Sequence, residues 1–265
     1  MELLIYLILG AAAGVISGLF GLGGGVVIVP ILILAFDMQG ISQELATHLA
    51  LGTSLATIAI TSIPSIYTHY QRGAVRLDLV GWIGPGIILG AILGGLFAIS
   101  LGAAWLQSLL GLFFILVALQ LLFYQPAAAN RNPPSQAGLV LAGTGIGSLS
   151  ALFGIGGGTL TTPFLTYFGI RIHQAVGTAA ACGFPIAFFS SLVYGSSDMG
   201  SAGLPDETLG LIFLPAWFGI IITSVPGARF GALLAHRLNE AKLRRLFAVL
   251  VLSVGVRYIW INWVF

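Results

Sequence analysis

Residues 10–32 read GAAAGVISGLFGLGGGVVIVPIL, and residues 143–165 read GTGIGSLSALFGIGGGTLTTPFL. At a constant offset of 133 the two stretches agree at 11 of 23 positions. Chance in so biased a composition would give roughly two, so the chain contains an internal duplication. The shared positions include Ser17 and Ser150, Phe20 and Phe153, Gly21 and Gly154, and Pro30 and Pro163. Gly23, Gly24 and Gly25 are matched by Gly156, Gly157 and Gly158. Further on, HLALGT from His48 to Thr53 matches HQAVGT from His173 to Thr178, and Gly90, Gly94 and Ala98 match Gly227, Gly231 and Ala235. The reading is a first repeat over 1–124, a polar linker over 125–138 and a second repeat over 139–265. The linker carries the break Asn130, Arg131, Asn132, Pro133, Pro134.

Composition decides the class. Of 265 residues, 58% are hydrophobic and only 7% charged, with a mean hydropathy of +1.05. A water-facing surface needs about 25% charged residues, so a soluble enzyme and a disordered chain are both excluded. A net charge of +2 gives no reason to expect nucleic acid, and the single Cys182 allows no internal disulfide. The apolar start at residues 3–20 is not expected to be a cleaved signal, because Glu2 precedes it and it opens the first copy of the repeat.

Each half holds three apolar spans near the roughly 20 residues that cross a bilayer as a helix. They cover about 47–68, 79–99 and 104–124, then about 174–195, 208–228 and 244–264. The remaining segments, 3–36 and 139–169, carry the glycine runs. As one helix, 3–36 would be about 50 Å long, too much for a single crossing. It is either one long broken helix or a hairpin that returns to its starting side. Charge placement favours the hairpin. With it, Arg72, Arg76, Arg131, Arg171, Arg229, Arg237, Lys242, Arg244 and Arg245 share one side and only Arg257 faces the other, whereas a single crossing splits the bases four against six. Each repeat then crosses an odd number of times, and the second lies inverted relative to the first, a plan common among secondary transporters. The expectation is an all-α integral membrane protein of two inverted repeats. Each is a glycine-broken, re-entrant helical hairpin followed by three transmembrane helices, with both termini extracytoplasmic.

Three successive glycines break a helix and permit left-handed backbone angles. Such freed backbone survives at membrane depth only where it is buried in protein or lines a cavity. The helices that restart near Val26 and Thr159 would aim unpaired N–H groups at that cavity, and a helix N-terminus favours an anion. No Asp or Glu falls at mid-span, where a cation-coupled carrier usually keeps one. The mid-membrane polar groups are hydroxyls: Ser17, Thr53, Ser54, Thr57, Ser150, Thr159, Thr161, Thr162, Thr178, Ser190 and Ser191. Hydroxyls and N–H donors suit an oxyanion, although many such side chains simply bond their own helix. Gly23, Gly24, Gly25, Gly156, Gly157 and Gly158, with Thr53, Ser54, Thr159 and Thr178, are the candidate substrate-binding residues. His48 and His173 are candidates for proton coupling, against the plainer role of a structural hydrogen bond at a helix start. No metal-ligand spacing, nucleophile–base pair or phosphate loop occurs, so no metal, no cofactor and no catalytic residue is expected.

The run Gly18-Leu-Phe-Gly-Leu-Gly-Gly-Gly followed by Pro30, its second copy ending at Pro163, and His-x-Ala-x-Gly-Thr after each resemble the TauE/SafE sulfite-exporter family. The likeness spans essentially the whole chain. It implies a multi-pass protein of the inner or plasma membrane that moves small sulfur-containing anions such as sulfite, sulfoacetate or thiosulfate. It places the functional positions at Gly23 to Gly25 and Gly156 to Gly158, with Thr53 and Thr178 nearby. An anion channel using the same site is the alternative.

Overall fold

A computed structural model describes residues 2–20, 24–123, 134–197, 204–235 and 240–263. Among them are ten helices: α1 (Glu2–Phe20), α2 (Gly25–Met38), α3 (Gln43–Gln71), α4 (Leu77–Ser100), α5 (Ala103–Phe123), α6 (Gln136–Leu152), α7 (Gly158–Tyr167), α8 (Ile172–Gly195), α9 (Leu214–Ala235) and α10 (Glu240–Trp263). Five segments are long and apolar enough to cross a membrane: α3, α4, α5, α8 and Arg245–Trp263 of α10. Their outward faces carry Leu93, Leu96, Phe97, Leu112, Leu116, Leu192 and Val249, all exposed, as suits contact with lipid. This is an all-α integral membrane protein.

Two boundaries differ from the sequence reading. The span expected at 208–228 begins only at Leu214, because Thr208–Leu209 and Ile212–Phe213 pair as a two-stranded hairpin, β1 and β2, closed by Gly210 at φ +56°. At the other boundary, α6 takes up Gln136 to Gly138 of the expected linker, while 124–133 lie outside the described residues.

Helix directions follow from which residues touch. The Tyr6 hydroxyl donates to Gln39 Oε1 at 2.9 Å, and the ring of Tyr6 lies 6.3 Å from that of Phe36. The start of α1 therefore sits beside the end of α2, and the two form a hairpin. At 1.5 Å per residue α2 is about 21 Å long and α7 about 15 Å, short of the roughly 30 Å hydrocarbon core. Schellman turns end both: Ile41 N–H donates to Phe36 O past α2, and Ile170 N–H to Leu165 O past α7.

The two halves interlock through glycine. A Cβ at Gly10 would meet the backbone of Ile220, one at Gly14 that of Ser224, and one at Gly227 the carbonyl of Ala11. Residue numbers rise together, so α1 and α9 run parallel with their backbones touching. The same contact joins α4 to α6: Gly86 abuts Val140, Gly90 abuts Thr144, and Gly143 and Gly147 abut Ile83 and Ile87. Small residues at one-turn spacing are what membrane helices use to approach so closely. The matching helices α5 and α10 are antiparallel, with Gly111 against Gly255 and the Trp105 and Trp263 rings 5.4 Å apart. So are α3 and α8, with Gly52 beside Tyr194 near one end and Gly177 beside Ala74 at the other.

A partly buried amide network ties α3, α5 and α10. Gln43 Nε2 donates to Gln107 Oε1 at 2.8 Å, Asn262 Nδ2 donates to the same oxygen at 3.0 Å, and Gln107 Nε2 donates to Thr47 Oγ1 at 2.6 Å.

The glycine contacts make a direct prediction. Gly143→Val places a side chain on the Ile83 carbonyl and should cost about 1–3 kcal/mol or more. Gly145→Ala faces open space and should be neutral. Thermal unfolding of the detergent-purified variants, followed by size-exclusion profile, checks both.

Candidate functional site

The second hairpin breaks at Phe153–Gly157. Ile155 N–H donates to Ser150 O at 3.0 Å, and Gly154 takes φ +65°, the left-handed angle that closes the end of α6. The triple run itself behaves differently from expectation. Gly156, Gly157 and Gly158 all keep negative φ, so the left-handed position is Gly154, the first glycine of the motif. What the run supplies is room. A Cβ at Gly157 would stand 2.9 Å from both Ala179 O and Gly183 N, and one at Gly156 would stand 3.3 Å from the Ile58 side chain. A helix then restarts: α7 begins at Gly158, with Thr161 N–H donating to Gly157 O at 2.9 Å.

The first hairpin restarts in the same way. α2 begins at Gly25, and Ile28 N–H donates to Gly24 O at 2.9 Å. Gly23 lies outside the described residues. The two breaks meet: a Cβ at Gly25 would fall 2.6 Å from Gly154 O and from the Ile155 Cα. Ser54, on α3, donates to that same Gly154 oxygen at 2.8 Å. Gly24, Gly25, Ser54 and Gly156 to Thr159 are thus gathered in one region, with Thr159 5% exposed. Val27 N–H, in the first turn of α2, donates to Gly24 O at 3.1 Å. By helix geometry the other first-turn N–H groups of α2 and α7 lack intrahelical acceptors, and both helix starts carry partial positive charge.

Two hydroxyls beside the second break were missed as site residues, although they stood among the mid-membrane hydroxyls. Ser150, in the last turn of α6, and Thr161, in the first turns of α7, are fully buried, and their hydroxyls have no hydrogen-bond partner among the described residues. Only their pairing state, invisible in sequence, separates them from neighbours such as Thr57, whose hydroxyl donates to Thr53 O at 2.8 Å.

Thr53 and Thr178 serve a different contact. Thr53 Oγ1 accepts from Phe213 N–H at 3.0 Å, at the start of α9, and Thr178 Oγ1 accepts from Arg76 N–H at 3.0 Å, at the start of α4. The glycine before each threonine lets that backbone approach: Gly52 abuts the Leu211 carbonyl and Gly177 the Ala74 carbonyl. The Gly-Thr pair of each half therefore grips the penultimate helix of the other.

The two histidines part company. His48 is fully buried, with Nδ1 2.8 Å from Glu44 O and Nε2 3.2 and 3.1 Å from Ala98 O and Leu101 O, which pins α3 to the end of α4. His173 is exposed in the first turn of α8. Among the described residues no group of three His, Cys, Asp or Glu side chains is placed to hold a metal ion.

The threonine contacts predict a stability effect. Thr53→Val and Thr178→Val each strand a backbone N–H and should cost about 1–3 kcal/mol, with Thr→Ser at either position restoring most of it. Thermal melts of the purified variants check this.

The helix-breaking glycines at a shared centre, inside a bundle with lipid-facing walls, are the context in which comparison with known proteins is informative. The family model for sulfite exporter TauE/SafE matches residues 6–258. A "Probable membrane transporter protein" of Haemophilus influenzae is 34% identical over 258 residues, covering 96% of this chain and 97% of its own. The "Probable membrane transporter protein YunE" of Bacillus subtilis is 29% identical over 286 residues, covering 98% of each. One from Methanocaldococcus jannaschii, named MJ0441, is 26% identical over 261 residues. Matched from end to end, the chain belongs to the sulfite exporter TauE/SafE family of membrane transporters.

Proposed function

We propose that this protein is a secondary transporter, an exporter of small sulfur-containing anions such as sulfite, sulfoacetate or thiosulfate, working by alternating access. The observation that carries the reading is the meeting of two helix breaks, Gly24–Gly25 against Gly154–Ile155, beside the unpartnered hydroxyls of Ser150 and Thr161. Helix-start N–H groups and free hydroxyls are donors without full charge. They hold an oxyanion firmly enough to select it and loosely enough to release it. The family description points to the same substrate class.

The repeats lie inverted in this reading, supported by the antiparallel runs of α3 against α8 and α5 against α10. Alternating access is then one half rocking against the other around the hairpin tips. The inner membrane is the location, with both termini on its outer side. His48, held among carbonyls at the end of α4, and His173, exposed in the first turn of α8, are the positions at which proton coupling would be sought. Thr53 and Thr178 shape the site indirectly by holding α9 and α4.

Three measurements test the proposal. Solid-supported-membrane recordings on proteoliposomes should give a saturable thiosulfate or sulfite current that Gly24→Val abolishes. Ser150→Ala and Thr161→Val should weaken anion affinity about three- to tenfold while leaving thermal stability unchanged, since these hydroxyls make no bond in the protein. Wild-type affinity in both hydroxyl variants would sink the site. A current that fails to saturate and far exceeds carrier turnover would favour a channel. For topology, Ser42→Cys and Arg171→Cys in a Cys182→Ala background should label from opposite faces, and labelling from one face would refute the inverted arrangement.

A further inference from the structure

A half-open cavity of about 210 Å³ lies at the far end of α2 from the hairpin tips, lined by residues of α2, α3, α5 and α10, with Gln43 and Arg257 at exposed positions. Its polar lining is Asp37, Gln43, Gln107, Arg257 and Tyr258, and its apolar lining is Ile33, Leu34 and Ile261. Such a volume holds about seven waters at roughly 30 Å³ each, or one small oxyanion with part of its shell. Three features bear on what it takes. The oxygen of Gln107 is already engaged, accepting from both Gln43 and Asn262, and one of its two amide N–H groups donates to Thr47. Tyr258 is 4% exposed and its hydroxyl has no hydrogen-bond partner among the described residues. Arg257 has no carboxylate oxygen within 4.0 Å among the described residues, although the Asp37 charge acts on it across the cavity.

The groups left without a partner at the cavity, among the described residues, are the Arg257 guanidinium and the Tyr258 hydroxyl, which can donate, and the Asp37 carboxylate, which only accepts. A buried hydroxyl without a partner costs free energy that a ligand or water recovers. An interfacial arginine that merely snorkels to water needs no cavity and leaves no tyrosine stranded beside it. Arg257 is also the one base that charge placement sets apart from the other nine.

We propose that this cavity is a second, outer oxyanion-binding site in which the Arg257 guanidinium and the Tyr258 hydroxyl are the donors. It rests on the anion-transport reading for its role, as a waiting position on the outer side of the central site. The helix α2 joins the two: Gly25 stands at the tip and Asp37 at the cavity, about 18 Å apart along the helix axis. Asp37 keeps the site weak. Its carboxylate competes for Arg257 and repels an anion, so a ligand is held briefly and let go.

Isothermal titration of lipid-depleted, detergent-purified protein with sodium thiosulfate tests the site without reference to transport. Wild type should bind. Arg257→Gln should weaken binding about tenfold or more, and Tyr258→Phe about threefold, the latter with an unchanged melting temperature. Gly157→Val, placed at the other site, should retain the Arg257-dependent binding. In proteoliposomes Arg257→Gln should raise the KM for thiosulfate presented at the outer face more than it lowers the maximal rate. Equal affinity in wild type, Arg257→Gln and Tyr258→Phe would overturn the proposal even with transport intact. Arg257-dependent binding without any transport would uphold the cavity and defeat the transport reading instead. A phospholipid that co-purifies with wild type but not with Arg257→Gln, with no thiosulfate bound, would assign the site to a lipid headgroup and overturn the solute proposal.

Discussion

Direct contact between helix backbones across the two halves is the constraint on which the rest depends. In lipid there is no gain from hiding apolar side chains from water, so helices associate only by touching closely over many atoms. Gly10, Gly14 and Gly227 let α1 lie against α9, and Gly86, Gly90, Gly143 and Gly147 let α6 lie against α4. Each half thus lends its first helix to the penultimate helix of the other. Neither half has a complete core of its own, and the short α2 and α7 can stop inside the protein because neighbours from both halves surround them.

The Gly-Thr pairs extend that exchange with two matching bonds. Thr53 receives Phe213 N–H and Thr178 receives Arg76 N–H, so the starts of α9 and α4 are each held by the opposite half. Donors at a helix start otherwise need water, which the bundle interior does not offer. These bonds hold helices in place, while the donors left over at α2, α7, Ser150 and Thr161 belong to the hairpin centre. At the far end of α2 the amides of Gln43, Gln107 and Asn262 bond one another beside Tyr258, whose hydroxyl finds no partner among the described residues.

Much of this could be read from residues alone. Hydropathy separated membrane from soluble protein, and helix-scale apolar runs located the spans to within a few residues. The exception was α9, where β1 and β2 occupy an apolar stretch that hydropathy cannot tell from helix. The glycine motif marked the breaks but not which glycine is left-handed, because Gly154 and Gly156 to Gly158 are chemically identical and only the turn geometry distinguishes them. Thr53 and Ser54 illustrate the same limit. They are adjacent hydroxyls in one helix, and about 100° of helical rotation sends one to Phe213 and the other to Gly154.

By itself the sequence determined the solvent, the duplicated glycine motif, the positions of the helix breaks and the lack of acids at mid-span. These are properties of composition and local spacing, which need no knowledge of neighbours. Tertiary structure alone decided which polar groups remain free. Thr53 and Thr178 find partners 160 and 102 residues away, His48 finds carbonyls 50 and 53 residues away, and the hydroxyls of Ser150, Thr161 and Tyr258 find none among the described residues. Whether a hydroxyl is spent on the fold or left for a ligand depends on what the packed chain brings within 3 Å of it. Interlocked glycine helices arrange that from distant parts of the sequence.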